Sequence, residues 1–188
     1  SYKMASDMLV ADADMIGKGV GKQAALEVRR IFETNEVHLE VAARSDAIRH
    51  GDDAAKMARM QEIKQDTDVF SNIFYLGVDG IGFDADGSAL DRSERDYFKK
   101  VVQTQKTVIS EPVISAISGK VVTIIAVPVM ENGVLTGIVA GAVGLDNFND
   151  TLSKMTTYRT GQLVVMDETG LVIIHPNEPA QVGKLDFS

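Results

Sequence analysis

Cysteine and tryptophan are both missing from these 188 residues. Without cysteine there is no disulfide framework, no thiolate nucleophile and no thiolate-held zinc or iron–sulfur centre. Positive charge is scarce as well. Nineteen Lys and Arg face 27 Asp and Glu, for a formal net charge of -8. A chain so acidic lacks the basic patch that phosphate backbones require, which argues against nucleic acid as a partner. No apolar run approaches the ~18 residues that read as a membrane span. The opening SYKMASDML carries neither the basic start nor the cleavage pattern of a signal peptide. A start in mid-helix and an end at LDFS read as a piece of a longer protein. Hydrophobic residues make up 45% of the chain, enough for a proper core and against wholesale disorder.

Periodicity divides the rest. Residues 1–50 predict one long spine helix, with Val28, Ile31, Phe32, Leu39 and Ala42 on a single face and a stop at Gly51. Its GKGVGKQ run fails as a phosphate loop. Four residues do not separate the glycines, Gln23 follows Lys22 where Ser or Thr is needed, and no strand precedes. The glycines are better read as a softened point in the helix. Residues 53–66 predict a second helix, and NIFYLGVDGIGFDADG a strand, a turn and a strand. Asp79, Asp84 and Asp86 lack the fixed steps and the closing Glu of a calcium loop, so turn chemistry accounts for them. DRSERDYFKKVV is a charged turn with a short amphipathic segment. SEPVISAISGKVVTIIAVPV, a turn at MENG, and GVLTGIVAGAVGLD form a Val/Ile-rich hairpin. A short helix over DNFNDTLSKM follows. LVVMDETGLVIIH then repeats the plan of an apolar strand, an acidic Gly turn and a second strand.

Three candidate sites come from the residues themselves. Arg95 is either a surface arginine paired with its neighbours Glu94 and Asp96, or a planar fork for a ligand carboxylate. Asp146, at the end of GIVAGAVGL, is a helix cap, a ligand contact, or both. Tyr75, Tyr97 and Phe98 are core aromatics or the walls of an apolar pocket. His38, His50 and His175 have no metal-ligand spacing. No nucleophile elbow or supported catalytic pair is present, so the sequence predicts neither enzyme chemistry, nor a metal, nor a cofactor.

The order RDYF, SEP, AVPVMENGVLTGIVAGAVGLD and DETGLVIIHPN, behind a long N-terminal helix, resembles the extracytoplasmic double Cache sensor domain of bacterial transmembrane receptors, most often methyl-accepting chemotaxis proteins. The resemblance covers nearly the whole chain. It implies an α+β fold, with the long helix packed on PAS-like antiparallel sheet modules. Residues 1–50 would be the spine, 51–155 the membrane-distal, ligand-binding module, and 156–188 the start of a truncated membrane-proximal module. It further implies a small-molecule ligand (an organic acid or amino acid), membrane anchoring in the full-length protein, a periplasmic or exterior position, and a homodimer through the N-terminal helix. The output part implied is a chemotaxis transducer, with a histidine kinase or a cyclic-dinucleotide enzyme, which share such sensors, as the alternative. A PAS-like enzyme or a soluble binding protein is the alternative from another class.

The amino-acid-binding branch of that family carries Tyr, four residues, Arg, one residue, Trp, Tyr; then Tyr-x-Asp; then a strand-ending Asp. Here the Arg falls on Arg95 and the last Asp on Asp146. Tyr97 holds the Trp position and Phe98 the next aromatic. Leu90 stands for the first Tyr, and Val113 and Ser115 stand for Tyr-x-Asp. The resemblance thus implies a kept carboxylate-reading half and a thinned amine-reading half. Arg95, Tyr97, Phe98, Asp146, Tyr75, Ser115 and Val113 are the expected ligand-binding residues.

Overall fold

The computed structural model describes residues 9–10, 18–110, 113–144, 165–166 and 172–174, with side chains over 30–110, 113–120 and 122–144. In chain order the elements are β1 (Leu9–Val10), α1 (Lys18–Ala43), α2 (Asp46–Arg49), α3 (Asp53–Asp66), β2 (Phe70–Leu76), β3 (Ile81–Asp84) and β4 (Ala89–Asp91). Then come α4 (Asp96–Thr104), β5 (Val108–Ile109), β6 (Val113–Ile114), β7 (Val121–Glu131), β8 (Val134–Gly144), β9 (Val165–Met166) and β10 (Val172–Ile174). Helices packed with antiparallel strands make this the expected α+β, PAS-like fold.

The chain divides into two compact units, residues 34–111 with 124–143, and residues 2–33 with 112–123 and 144–188. In the first, the strands run β4-β3-β2-β8-β7-β5. The centre is the β7–β8 hairpin. Its two-residue turn puts Asn132 and Gly133 at φ 49° and 79°, the left-handed pair that matches strand twist. β2 lies antiparallel to β8, with Leu76 opposite Ile138, Phe74 opposite Ala140 and Asn72 opposite Ala142. Strand alternation puts these six on one face; Tyr75, Ile73 and their partners Val139 and Gly141 take the other. Both faces are buried, since Ile73, Leu76, Ile138 and Val139 have no exposed surface.

In the second unit, β1 and β10 flank β9, with Leu9 opposite Met166. Val113 pairs with Val122 at the start of β7. The strand–turn–strand reading of the C-terminal stretch is met by β9 and β10, which are antiparallel. The expected helix over DNFNDTLSKM lies outside the described residues.

The N-terminal helix differs from its expected extent. Leu9 and Val10 are a strand, and α1 begins at Lys18 and runs through Gly19 and Gly21. It ends at Ala43, eight residues before Gly51. Ser45 causes the break: its hydroxyl donates to the Ala42 carbonyl (2.7 Å) and accepts from the Ile48 amide (3.4 Å) as the N-cap of α2. A side chain that satisfies backbone groups on both sides favours a restart over a continuous helix. Of the predicted face, Phe32, Leu39 and Ala42 are fully buried and Ile31 is half-buried, while Val37 and Val41 are exposed. Val28 lies outside the described side chains.

Candidate functional site

The turn before α4 is built from its own polar groups. The Asp91 carboxylate accepts from the Ser93 amide (3.0 Å) and from the Ser93 hydroxyl (2.7 Å). These bonds, the backbone one first, hold the Asp91 carboxyl below its ordinary pKa. The Arg92 amide donates to the Gly80 carbonyl (2.8 Å), which ties this turn to the β2–β3 turn. Gly80, at φ 83°, lies so close to the Ser93 backbone that a Cβ would collide with it. The docking of the two turns therefore needs glycine there.

Arg95 is the N-cap of α4, with an extended backbone and no side-chain capping bond. Its guanidinium is not used to start the helix. Glu94, its expected local partner, instead binds Lys99 at 2.8 Å. Among the described residues, no carboxylate lies within ion-pair distance of Arg95. Asp96 follows in the first turn, where a negative charge suits the helix dipole. Tyr97, Phe98 and Val101 are buried on one side of α4. The helix stops where Gln105 adopts the left-handed conformation at φ 54°.

The Tyr97 hydroxyl is where the charges meet. Burial raises its pKa; the positive charges of Arg92, whose guanidinium donates to the Asp91 carbonyl (2.8 Å), and of Arg95 pull it partly back down. The phenol, raised from its ordinary value, is thus neutral at physiological pH and lies within the field of two arginines. The sequence singled out Arg95 but not Arg92. The missed signal was the shared turn, where Arg92 and Arg95 are the only two cations of DRSER.

The crossover from β4 to β5 connects opposite edges of the sheet. Tyr75 shows which face the N-terminal helices take. The Lys56 ammonium of α3 lies 5.2 Å from its ring centre, and its hydroxyl donates to the Thr136 carbonyl (3.4 Å). Burial, and then Asp53, raise the Tyr75 pKa. Tyr75 therefore packs under α3. The opposite face carries Leu76, Ile138 and, through the pairing of Gly82 with Leu90, the buried Leu90. Small residues Ala140 and Ala142 form part of that face. So does Asn72, 9% exposed, whose amide nitrogen is buried without a hydrogen-bond partner. Such a donor is costly to leave unpaired, about 1–3 kcal/mol, and is suited to a ligand acceptor. Asn72 was also missed, although it is a lone amide inside the apolar run FSNIFYL.

Of the expected ligand-binding residues, Arg95, Tyr97 and Phe98 thus come together on α4, and Tyr75 sits on the other face of the sheet. Val113 and Ser115 belong to the second unit. The Ser115 hydroxyl there accepts from the amides of Ile117 and Ser118, both at 3.2 Å. Asp146 lies outside the described residues. Among the described residues no group of His, Asp or Glu is arranged to hold a metal. No described helix is long and apolar enough to cross a membrane.

Comparison with known proteins places this geometry. The family model described as Cache domain matches residues 7–187. The methyl-accepting chemotaxis protein PscA of Pseudomonas syringae pathovar tomato is 24% identical over 59% of this chain, which covers only 18% of PscA. The sensory domain of the Campylobacter jejuni chemoreceptor Tlp3, solved with isoleucine bound, superposes with a TM-score of 0.70 at 11% identity, covering 90% of this chain and 73% of that one. The ligand-binding domain of the Pseudomonas fluorescens chemoreceptor CtaA, solved with L-valine, gives a TM-score of 0.70 at 21% identity over 89% of this chain and 76% of that one. Such identities establish a shared fold, and the match over nearly the full length establishes more: this chain belongs to the Cache domain family.

Proposed function

We propose that this chain is the extracytoplasmic ligand-binding part of a bacterial transmembrane chemoreceptor. It binds a small carboxylate or an aliphatic amino acid and does no chemistry on it. The observation that carries the reading is a turn that sets Arg92 and Arg95 close enough to the buried Tyr97 to lower its phenol pKa electrostatically, with no described carboxylate within ion-pair distance of Arg95. Two guanidiniums and a neutral phenol are a ready receptor for a carboxylate, because charge-assisted donors outbind neutral ones. Phe98, Leu90 and the Ala140–Ala142 face give the ligand's other end an apolar setting. Asn72 supplies a further polar contact, and Tyr75 supports the site from behind the sheet. Aliphatic amino acids fit this balance, and the solved relatives Tlp3 and CtaA hold isoleucine and valine.

In this reading residues 51–155 are the membrane-distal module, and residues 156–188 begin the membrane-proximal one. The N-terminal helix pairs with its counterpart in a homodimer of the membrane-anchored receptor and carries the signal. Occupancy shifts it by an ångström or two, the order of magnitude of helix shifts in switching proteins.

A thermal-shift panel of small acids, amines and amino acids tests the proposal. At ligand concentrations 100 times Kd, the stabilisation reaches about 2.7 kcal/mol, which a melting curve resolves. The expected responders are L-valine, L-isoleucine and their close analogues. A panel in which only amines lacking an acid group respond would overturn the carboxylate reading.

A further inference from the structure

A cleft of about 290 Å³ opens on the first unit, lined among others by Arg44, Arg49, Glu40, Thr107, Pro128 and Met130. Val127 of its lining shares the face described above, whereas Pro128 and Met130 lie on the other. The two-residue turn aligns Val127 with Ile138, so Pro128 and Met130 alternate onto the Tyr75 face, away from Leu90. Its origin is the break at Ser45, which ends α1 and turns the chain so that Arg44 and Arg49 border one space.

The charges in this cleft are unbalanced. Glu40 shares the space with both arginines, yet among the described residues neither guanidinium has a carboxylate within ion-pair distance. Arg49 is the sharper case, because its Nε is buried and has no hydrogen-bond partner. Arg49 is half-exposed, but a buried N–H donor without an acceptor still costs about 1–3 kcal/mol. An acceptor arriving from outside removes that cost. The lining states what kind. Two cations against one carboxylate suit a single negative charge and disfavour two. Thr107 offers a hydroxyl, while Pro128 and Met130 offer apolar surface. The volume suits a few heavy atoms.

We propose that this cleft is a second binding site, for a short-chain aliphatic monocarboxylate. Its carboxylate bridges Arg44 and Arg49, and its tail lies on Pro128 and Met130. The site stands between the end of α1 and strand β7, so occupancy joins the C-terminal end of the spine helix to the sheet.

Butyrate is the probe, titrated calorimetrically into wild type, Arg44→Gln, Arg49→Gln and Arg95→Ala, with methyl butyrate and inorganic sulfate as controls. Arg95→Ala should still bind butyrate, which separates this site from the one on α4. Arg44→Gln and Arg49→Gln should each weaken binding about tenfold or more. Methyl butyrate should not bind, and sulfate should bind more weakly than butyrate. Arg44 is exposed, so Arg44→Gln tests the site even where Arg49→Gln lowers the melting temperature. Butyrate binding unchanged in Arg44→Gln, lost in Arg95→Ala, or surpassed by sulfate would overturn the proposal, as would no binding to wild type.

Discussion

Arg95→Ala should weaken binding of the best amino-acid ligand by about 30-fold or more, because truncating one partner of a desolvated, hydrogen-bonded charge pair costs about 2–5 kcal/mol. The lower end applies here, since Arg95 is half-exposed and Arg92 remains beside Tyr97. The fold should be indifferent. Arg95 makes no capping bond, so its loss removes nothing that α4 uses to start. The measurement is a calorimetric titration beside a melting curve. Affinity within twofold of wild type would mean that the guanidinium is a surface charge. A melting temperature lowered by many degrees would mean that Arg95 serves the fold. The companion variant Arg92→Gln should lose affinity as well, since it removes the second cation from the same hydroxyl.

Leu39→Ala should destabilise the first unit by about 2–5 kcal/mol, the range for deleting a fully buried leucine side chain. Leu39 has no exposed surface. Val41→Ala, two residues on along the same helix and 55% exposed, should stay within about 0.5 kcal/mol. The pair of denaturation curves tests which face of α1 packs inward. Equal effects, or a larger one at Val41, would contradict the register. The exposed Val37 and Val41 are four residues apart on the outer face, the spacing at which helical residues stack. They are the positions to examine for the proposed homodimer.

What could be read from the sequence follows from how locally each feature is determined. The β7–β8 hairpin was legible because long Val/Ile runs flank an Asn–Gly turn, and both signals are local. The helix over 53–66 was legible from its periodicity, and Asp52 caps it through the Ala55 amide (2.9 Å). β4 and β5, three and two residues long, were not, since so short a stretch shows no alternation and exists only because a neighbouring strand pairs with it. The same holds for Leu9–Val10, whose partner lies at Val165–Met166. The end of α1 was misplaced because Gly51 offered a stronger composition signal than Ser45, whose effect depends on two hydrogen bonds. In the site, Arg95 stood out through its resemblance to a family pattern. Arg92 and Asn72 did not, because their interest lies in what they face: a tyrosine hydroxyl five residues on, and a closed side of the sheet.

The central claim is that a ligand is held first by its carboxylate. Calorimetry with L-valine, valinamide and isovalerate on Arg44→Gln, which disables the second cleft, addresses it most directly, because valinamide keeps the amine and side chain without the acid, and isovalerate keeps the acid and side chain without the amine. The account predicts that L-valine binds, and that the loss on passing to valinamide exceeds the loss on passing to isovalerate. Valinamide binding as tightly as L-valine, with no binding of isovalerate, would contradict it.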